Sequence, residues 1–364
     1  MTTVYDIARQ AGVSTATVSR VLHGSSLVRP ETRQRVVDVI ERLGFVPNGS
    51  AQGLSMRRKD IIGLVALERG ADEIDIERSS QLYVDEIVHA VEGVLRGTEI
   101  SLLLSFGPRG ESFERRIQTL SGKVDGLLMA EDVLPASQLV ALAKRVPLVL
   151  IARSADATGL DALTVDNAGG IRAAVTHLTG VHGYRRLCFV GGPPDSPDAE
   201  QRLAAFAEAV HGAGGCSAEP AVHGDFSEAS GSAAARALLA RGAEPEAVVC
   251  ANDQMAIGLM REFRRSGVDV PGRVAVTGFD DIYPARLTDP PLTTVSQPLR
   301  ELGTRAARRL LDRIGAATLP PAAEALPALP AAAEALPALP AAAEVLPTHL
   351  VVRGSCGCRS AREC

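Results

Sequence analysis

Between residues 5 and 22 the apolar positions fall at helical spacing, stop, and start again. In YDIARQAGVSTATVSRVL, Ile7, Ala8 and Ala11 share one side of a first helix. Gly12 supplies the backbone freedom of a tight turn. Ser14 is placed to cap a second helix. The apolar side of that helix is Ala16, Val18 or Val21, and Leu22, while Thr15, Thr17, Ser19 and Arg20 are polar and free to face a partner. Two short helices joined by a Gly-containing turn form either an ordinary helical hairpin or a helix-turn-helix, whose second helix lies in the major groove of DNA. Pro30 then opens a third helix with Val36, Val37, Ile40 and Leu43 on its apolar side, and Gly44 ends it. The pattern predicts an all-α head over 1–46, whose small core makes it marginal on its own.

Residues 47–60 form a linker. Asn48 can cap a short helix containing Ala51 and Leu54. Gly49 and Gly53 each cost such a helix up to about 1 kcal/mol relative to Ala, so it is expected to form only against a partner chain or DNA.

From Ile61 the text changes to short apolar runs alternating with helical stretches: IIGLVAL, ISLLLSF, GLLMA, PLVLIA, ALTVD, RLCFVGG, AVVCAND and VAVTGFDD. Apolar strands spaced by amphipathic helices predict parallel, doubly wound α/β sheets. A body spanning 61–355 exceeds one comfortable core, which implies two such lobes. Ligands in open α/β sheets bind beyond the carboxyl ends of the strands, so two facing lobes would make a cleft able to close on a ligand. Leu319–Pro347 is a ten-residue Pro/Ala repeat, read as a spacer or loop expansion inserted in the body. HLVVRG resumes as a strand, and 356–364 is read as an exposed Cys-containing tail.

Charge sharpens the division. The net charge is −5, but residues 1–60 carry +4 and the remainder −9. A basic head on an acidic body suits a small DNA-contacting module carried by a domain that does not touch DNA. Asp6 and Arg9 interrupt any apolar leader, and no run reaches the roughly 18 apolar residues of a membrane span. With six cysteines in 364 residues there is no disulfide framework, and the cytoplasm is the expected compartment. Cys356, Cys358 and Cys364 give C-x-C-x5-C, but a four-ligand zinc site needs another residue. No metal and no cofactor is therefore assigned. No phosphate-loop text surrounds Val190–Gly192, and no nucleophile or acid–base pair stands out, so no enzyme activity is expected.

The head and linker, VYDIARQAGVSTATVSRVLHG followed by RPETRQRVVDVIERLGFVPN, resemble the lactose-repressor (LacI/GalR) family of bacterial transcription regulators. The likeness continues through VDNAGGIRAAVTHL, GYRRLCFVGG, VVCANDQMAIGLMREFRRSGVDVPGRVAVTGFDD, PPLTTVSQPLRELG and LPTHLVVRGSCG. It implies two lobes of periplasmic-binding-protein type and a homodimer on double-stranded operator DNA. DNA affinity would be set by a small effector, a carbohydrate before a nucleoside. The expected sign is release of a repressor by its effector; a co-repressor-dependent repressor or an activator is the alternative.

Residue by residue, Tyr5, Ser14 and Thr17 match phosphate-contacting positions, and Thr15, Ala16 and Arg20 match base-reading positions. Arg20 can pair bidentately with guanine, whereas Ala16 can meet only a thymine methyl. Leu54 matches a leucine wedged into the minor groove. Thr3, His23, Asn48 and Ala51 complete the DNA-contacting set. In the body the resemblance implies that Arg202 and Asp280 oppose each other across the effector. Asn252, Phe226 and Arg153 line the site, and Gln297 lies near the crossover between lobes. Ala152 stands where the family often has an aspartate, and ERGADEIDIERSSQ departs from the family's cleft-lining segment, so the effector's identity does not transfer.

Overall fold

The computed structural model describes residues 3–22, 27–45, 58–68, 81–153, 158–242, 245–315 and 343–358. The chain divides into two units, Met1–Asp60 and Ile61–Cys364. The hinge positions Asn48, Ala51 and Leu54, and His23, lie outside the described residues.

In the first unit, α1 (Val4–Ala11), α2 (Thr15–Leu22) and α3 (Pro30–Leu43) are joined as the sequence predicts. Thr3 and Asp6 form a reciprocal capping box at the start of α1. Gly12 ends that helix in the left-handed conformation at φ 63°. Ser14 Oγ accepts the Thr17 N–H at 3.2 Å and so caps α2. Ile7, Val18 and Val36 are fully buried at the centre, with Ala8, Ala11, Val21 and Val39 around them. One expectation changes: Ala16 is exposed and does not belong to the apolar side of α2. It lies two residues, about 200° of helical rotation, from Val18, which faces the core.

The second unit holds two six-stranded sheets among the described residues. The first lobe is built from β1 (Ile61–Leu67), α4 (Gln81–Leu95), β2 (Ser101–Gly107), α5 (Glu111–Ser121), β3 (Gly126–Ala130), α6 (Ala136–Ala143), β4 (Leu148–Ile151) and β5 (Asp161–Val165). The chain then enters the second lobe. This contains α7 (Asn167–Thr176), a π-helical turn (His177–Val181), β6 (Arg186–Gly191), α8 (Pro197–Gly212), β7 (Ser217–His223), α9 (Glu228–Ala240), β8 (Ala247–Cys250), α10 (Asp253–Arg265), β9 (Ala275–Asp280) and β10 (Thr293–Ser296). It returns to the first lobe as α11 (Leu299–Ile314) and β11 (Ala343–Leu346), and ends in the second as β12 (His349–Val351). The sheet orders are β11-β5-β4-β3-β1-β2 and β12-β10-β9-β8-β6-β7. The central strands β3, β4 and β8 are buried along their whole length, which is why they read as uninterrupted apolar runs. No described helix is long and apolar enough to cross a membrane.

Two domain boundaries differ from the sequence reading. The last copy of the Pro/Ala repeat is not spacer throughout: Ala343–Leu346 pairs in parallel with β5, and Leu346 is buried. Glu344 is held there by Arg305 and Arg309 of α11. The cysteines at 356 and 358 are not on an exposed tail. Gly354–Cys356 forms a 3-10 turn packed on the second lobe, where the Ser355 hydroxyl donates to the Val276 carbonyl at 2.6 Å and Cys356 is fully buried.

Deleting residues 331–340, one repeat unit, should therefore leave the unfolding temperature within about 2 °C. Deleting 328–347 removes β11 and should cost about 2 kcal/mol or more, the scale of losing one buried leucine. Thermal unfolding of the two deletions side by side checks this.

Candidate functional site

The helical head leaves a set of mostly polar side chains on α1 and α2 exposed. Tyr5, Ser14, Thr15, Ala16, Ser19 and Arg20 are exposed, and Thr17 is partly so. Tyr5 is 77% exposed, far more than an aromatic ring in a small domain needs to be for packing. Thr3 is exposed too, but its hydroxyl is engaged in the helix cap. The Ser14 and Thr17 hydroxyls lie 2.9 Å apart. Arg20, near the end of α2, extends from the same face that carries Thr15 and Ala16. The exposed methyl of Ala16 lets this part of the helix approach a surface closely.

In the second unit a narrow cleft opens where the two lobes meet. From the first lobe it is lined by Tyr83, Glu131, Asp132 and Ala152. The second lobe adds Ser196, Asp198, Arg202, Phe226, Asn252, Gln254 and Asp280. Arg202 is 3% exposed. Its Nε donates to Asn167 Oδ1 at 2.8 Å and its Nη1 to the Ala251 carbonyl at 2.7 Å. Its guanidinium lies 3.8 Å from the centre of the Phe279 ring. Asp280 Oδ1 is 3.8 Å from Nη1 and Asp198 Oδ2 is 4.0 Å from Nη2. Both separations exceed hydrogen-bond length. A ligand hydroxyl there can accept from the guanidinium and donate to a carboxylate at once.

Asp280 is held by Gln297, whose Nε2 donates to Oδ1 at 2.6 Å. Burial lifts the Asp280 carboxyl from 3.8 to about 7 against the lowering pull of Arg202 and Gln297, with Asp198 adding to the rise. The Tyr83 phenol is pushed well above its usual value, first by burial and then by Asp198, Glu131 and Asp280, so it stays a neutral donor.

The backbone around this cleft is strained. Glu131, Ala152, Phe226 and Asp280 have φ of 65°, 60°, 72° and 119°. A non-glycine residue held there costs on the order of 1–3 kcal/mol, and such residues cluster where a ligand is met. All four line the cleft and lie at or just beyond the carboxyl ends of strands. A side chain at Gly192 would strike the Phe226 ring within 2.4 Å, so glycine there gives the ring its place.

Of the residues the sequence singled out, Arg202, Phe226, Asn252 and Asp280 line one cleft, but Arg202 and Asp280, expected on either side of it, both lie on the second lobe, 3.8 Å apart. Gln297 joins them through Asp280. Asn252 does double duty, its Oδ1 capping α10 through the Met255 N–H at 3.0 Å and its Nδ2 donating to the Phe226 carbonyl at 2.9 Å. Arg153 does not reach the cleft wall itself. It pairs with Asp132 and donates to the Leu134 carbonyl at 2.7 Å, so it positions a carboxylate that lines the cleft. Sequence reasoning missed Tyr83, Glu131, Asp132 and Asp198. Glu131 and Asp132 follow β3 directly, and the strand-end rule would have found them; Tyr83 lies behind the segment with no familiar pattern.

Residues 3–48 match the family described as bacterial regulatory proteins, lacI family, and residues 175–356 match the periplasmic binding protein-like domain. The chain is 37% identical to the HTH-type transcriptional regulator CelR of Thermobifida fusca, over 86% of this chain and 92% of the relative. It is 33% identical to the HTH-type transcriptional regulator GalR of Escherichia coli, over 85% and 89%. Among solved structures, a lac repressor dimer bound to operator and the anti-inducer ONPF superposes with a TM-score of 0.79 at 28% identity, covering 98% of this chain and 99% of that one. A CelR–cellobiose complex superposes with a TM-score of 0.66 at 33% identity, covering 98% and 100%.

The Asp280 shift sets a pH dependence. A carboxyl raised to about 7 in the folded state binds its proton there while the unfolded chain has lost it. Its contribution to stability is full below about 4 and is lost as pH rises through about 7. The unfolding temperature of Asp280→Asn should fall less than that of the parent between pH 5 and pH 8, measured by calorimetry on the two proteins; parallel curves would remove Asp280 from this role.

Proposed function

The chain belongs to the LacI family of bacterial regulatory proteins, and on that premise we propose a transcriptional repressor that a polyhydroxylated effector releases from DNA. The observation that carries the reading is Arg202. It is a buried cation fixed by two neutral acceptors and flanked by two carboxylates beyond hydrogen-bond distance. Adjacent donors and acceptors at that spacing suit a sugar, whose hydroxyls serve as both. Phe226 offers a flat apolar face beside them, the usual mixture in a small-molecule site. The CelR–cellobiose structure makes cellobiose the first carbohydrate to test. The cleft is read as a binding site, in keeping with relatives that are transcriptional regulators.

The exposed face carrying Tyr5, Ser14, Thr15, Ala16, Thr17 and Arg20 reads one operator half-site. Two heads on a dimer, as in the operator-bound lac repressor, read both. Hydrogen-bonded readout rests on Arg20 and Thr15, with Ala16 contributing shape. Asn48, Ala51 and Leu54 would form the hinge helix, with Leu54 at the minor groove. Effector binding draws the lobes together and weakens DNA binding, and DNA weakens effector binding by the same factor.

The test is a gel shift with the DNA upstream of the protein's own gene, with and without cellobiose and other sugars, paired with a thermal-shift screen. A sugar that raises the unfolding temperature should lower DNA affinity. Arg202→Ala should abolish the thermal shift and leave DNA binding intact. Tighter DNA binding with sugar, or an unchanged shift in Arg202→Ala, overturns the reading. Arg20→Ala should weaken operator binding by roughly 10- to 100-fold, the worth of one bidentate base contact.

A further inference from the structure

Far from the cleft, at the end of the second lobe where β6 begins, four side chains converge that neither the family match nor the effector site explains. His177 opens the π-helical turn that ends α7, and His182 caps that turn. Cys356 and Cys358 flank Gly357, just after the chain's last described strand. The four ligating atoms all lie within 4.8 Å of one another. The two imidazole Nε2 atoms are 3.3 Å apart. His177 Nε2 is 3.4 Å from Cys356 Sγ and 3.6 Å from Cys358 Sγ, and His182 Nε2 is 3.3 Å from Cys358 Sγ.

We propose that His177, His182, Cys356 and Cys358 form a Cys2His2 zinc site that fastens the C-terminal turn to the second lobe. Zinc bonds of about 2.3 Å to sulfur and about 2.0–2.1 Å to nitrogen give a tetrahedron with N···N edges near ~3.3 Å and N···S edges near ~3.6 Å. These four separations lie within a few tenths of an ångström of those edges, and the other two pairs lie within 4.8 Å. Hydrogen bonding alone does not account for them. A ring nitrogen has one proton or one lone pair, yet His177 Nε2 has three partners at close range. An ion at the centre satisfies all four groups. Two sulfurs and two imidazoles in a tetrahedron select zinc over harder cations.

The local fold supports the site. An i, i+5 pair stands about 140° apart around an α-helix, and the wider π turn brings His177 and His182 to one side. The Tyr184 ring stacks on His182 at 5.4 Å, and its hydroxyl donates to the Cys356 carbonyl at 3.2 Å. The Thr293 hydroxyl donates to Cys356 Sγ at 3.1 Å. Gly357 has φ 108°, and a side chain there would crowd Tyr184 and His182 at 3.2–3.3 Å. These contacts orient the ligands as an outer shell does.

Cys356 is a free thiol, whereas Cys358 is held in a disulfide. The metal form therefore belongs to the reduced chain. A dithiol reductant supplies two electrons and two protons to open the disulfide and is itself oxidised to a disulfide. On zinc binding, the Cys356 and Cys358 thiols release their protons to solvent and both imidazoles donate lone pairs.

The full chain, reduced and metal-stripped under anaerobic conditions, is titrated with cobalt(II) and then zinc(II). One cobalt per chain should appear with the visible d–d bands and thiolate charge-transfer absorption of a tetrahedral S2N2 site, and zinc should displace it. Cys364→Ser, which removes the one cysteine outside the described residues, should bind equally. Cys356→Ser and His182→Gln should each lose more than about 100-fold in zinc affinity, beyond what outer-shell changes cost. The oxidised chain should take up none. No cobalt in reduced Cys364→Ser, or a spectrum without thiolate character, overturns the proposal. The parent's cobalt spectrum decides even if the ligand variants fail to fold.

Discussion

A guanidinium 97% removed from solvent has to have its donors met, and the second unit is organised around meeting those of Arg202. Two partners come from backbone and amide groups fixed by other elements: Asn167, at the first passage between lobes, and the carbonyl of Ala251, just past β8. Asn167 is itself held, its Nδ2 donating to Asp198 at 2.8 Å and Gln201 at 3.0 Å. Asp280 is set by Gln297, at the second passage between lobes. The cation is thus tied to the segments that must bend if the lobes move. Leaving a buried charge unpaired is far more costly than the pair is stabilising, so these ties resist independent change.

The strained residues around the cleft follow from the same constraint. Glu131, Ala152, Phe226 and Asp280 sit at strand ends, where the chain turns sharply to aim side chains across the opening. The surrounding sheets are rigid enough to hold these conformations, since their central strands are buried on both faces. Across the opening, Arg109 of the first lobe reaches Asp195 of the second at 3.3 Å. Both partners are substantially exposed, so this contact contributes little to stability and can part without large cost.

The fold was legible wherever burial on both faces left an unbroken apolar run, as in GLLMA or AVVC. It was illegible at the sheet edges. β7, SAEPAVH, is largely exposed and carries Pro220, which suits an edge strand and erases the strand signal. β11 is hidden because its four residues are written in the alphabet of a low-complexity repeat. In the cleft, Arg202 and Asp280 were found from resemblance and chemistry together, while Tyr83 gave no signal because its neighbours match no pattern. The histidines at 177 and 182 were invisible for another reason. Nothing in sequence links them to cysteines some 180 positions away, and only the path of the last strand brings the two pairs together.

The order in which the strands occur has a consequence for folding. β11 and β12 each complete one edge of a sheet, and both follow every other described strand in sequence. Until they are made, each lobe lacks an edge strand, so neither can close its sheet before the other has been almost fully written. A chain cut before β11 therefore leaves two unfinished lobes at once, not one finished and one missing.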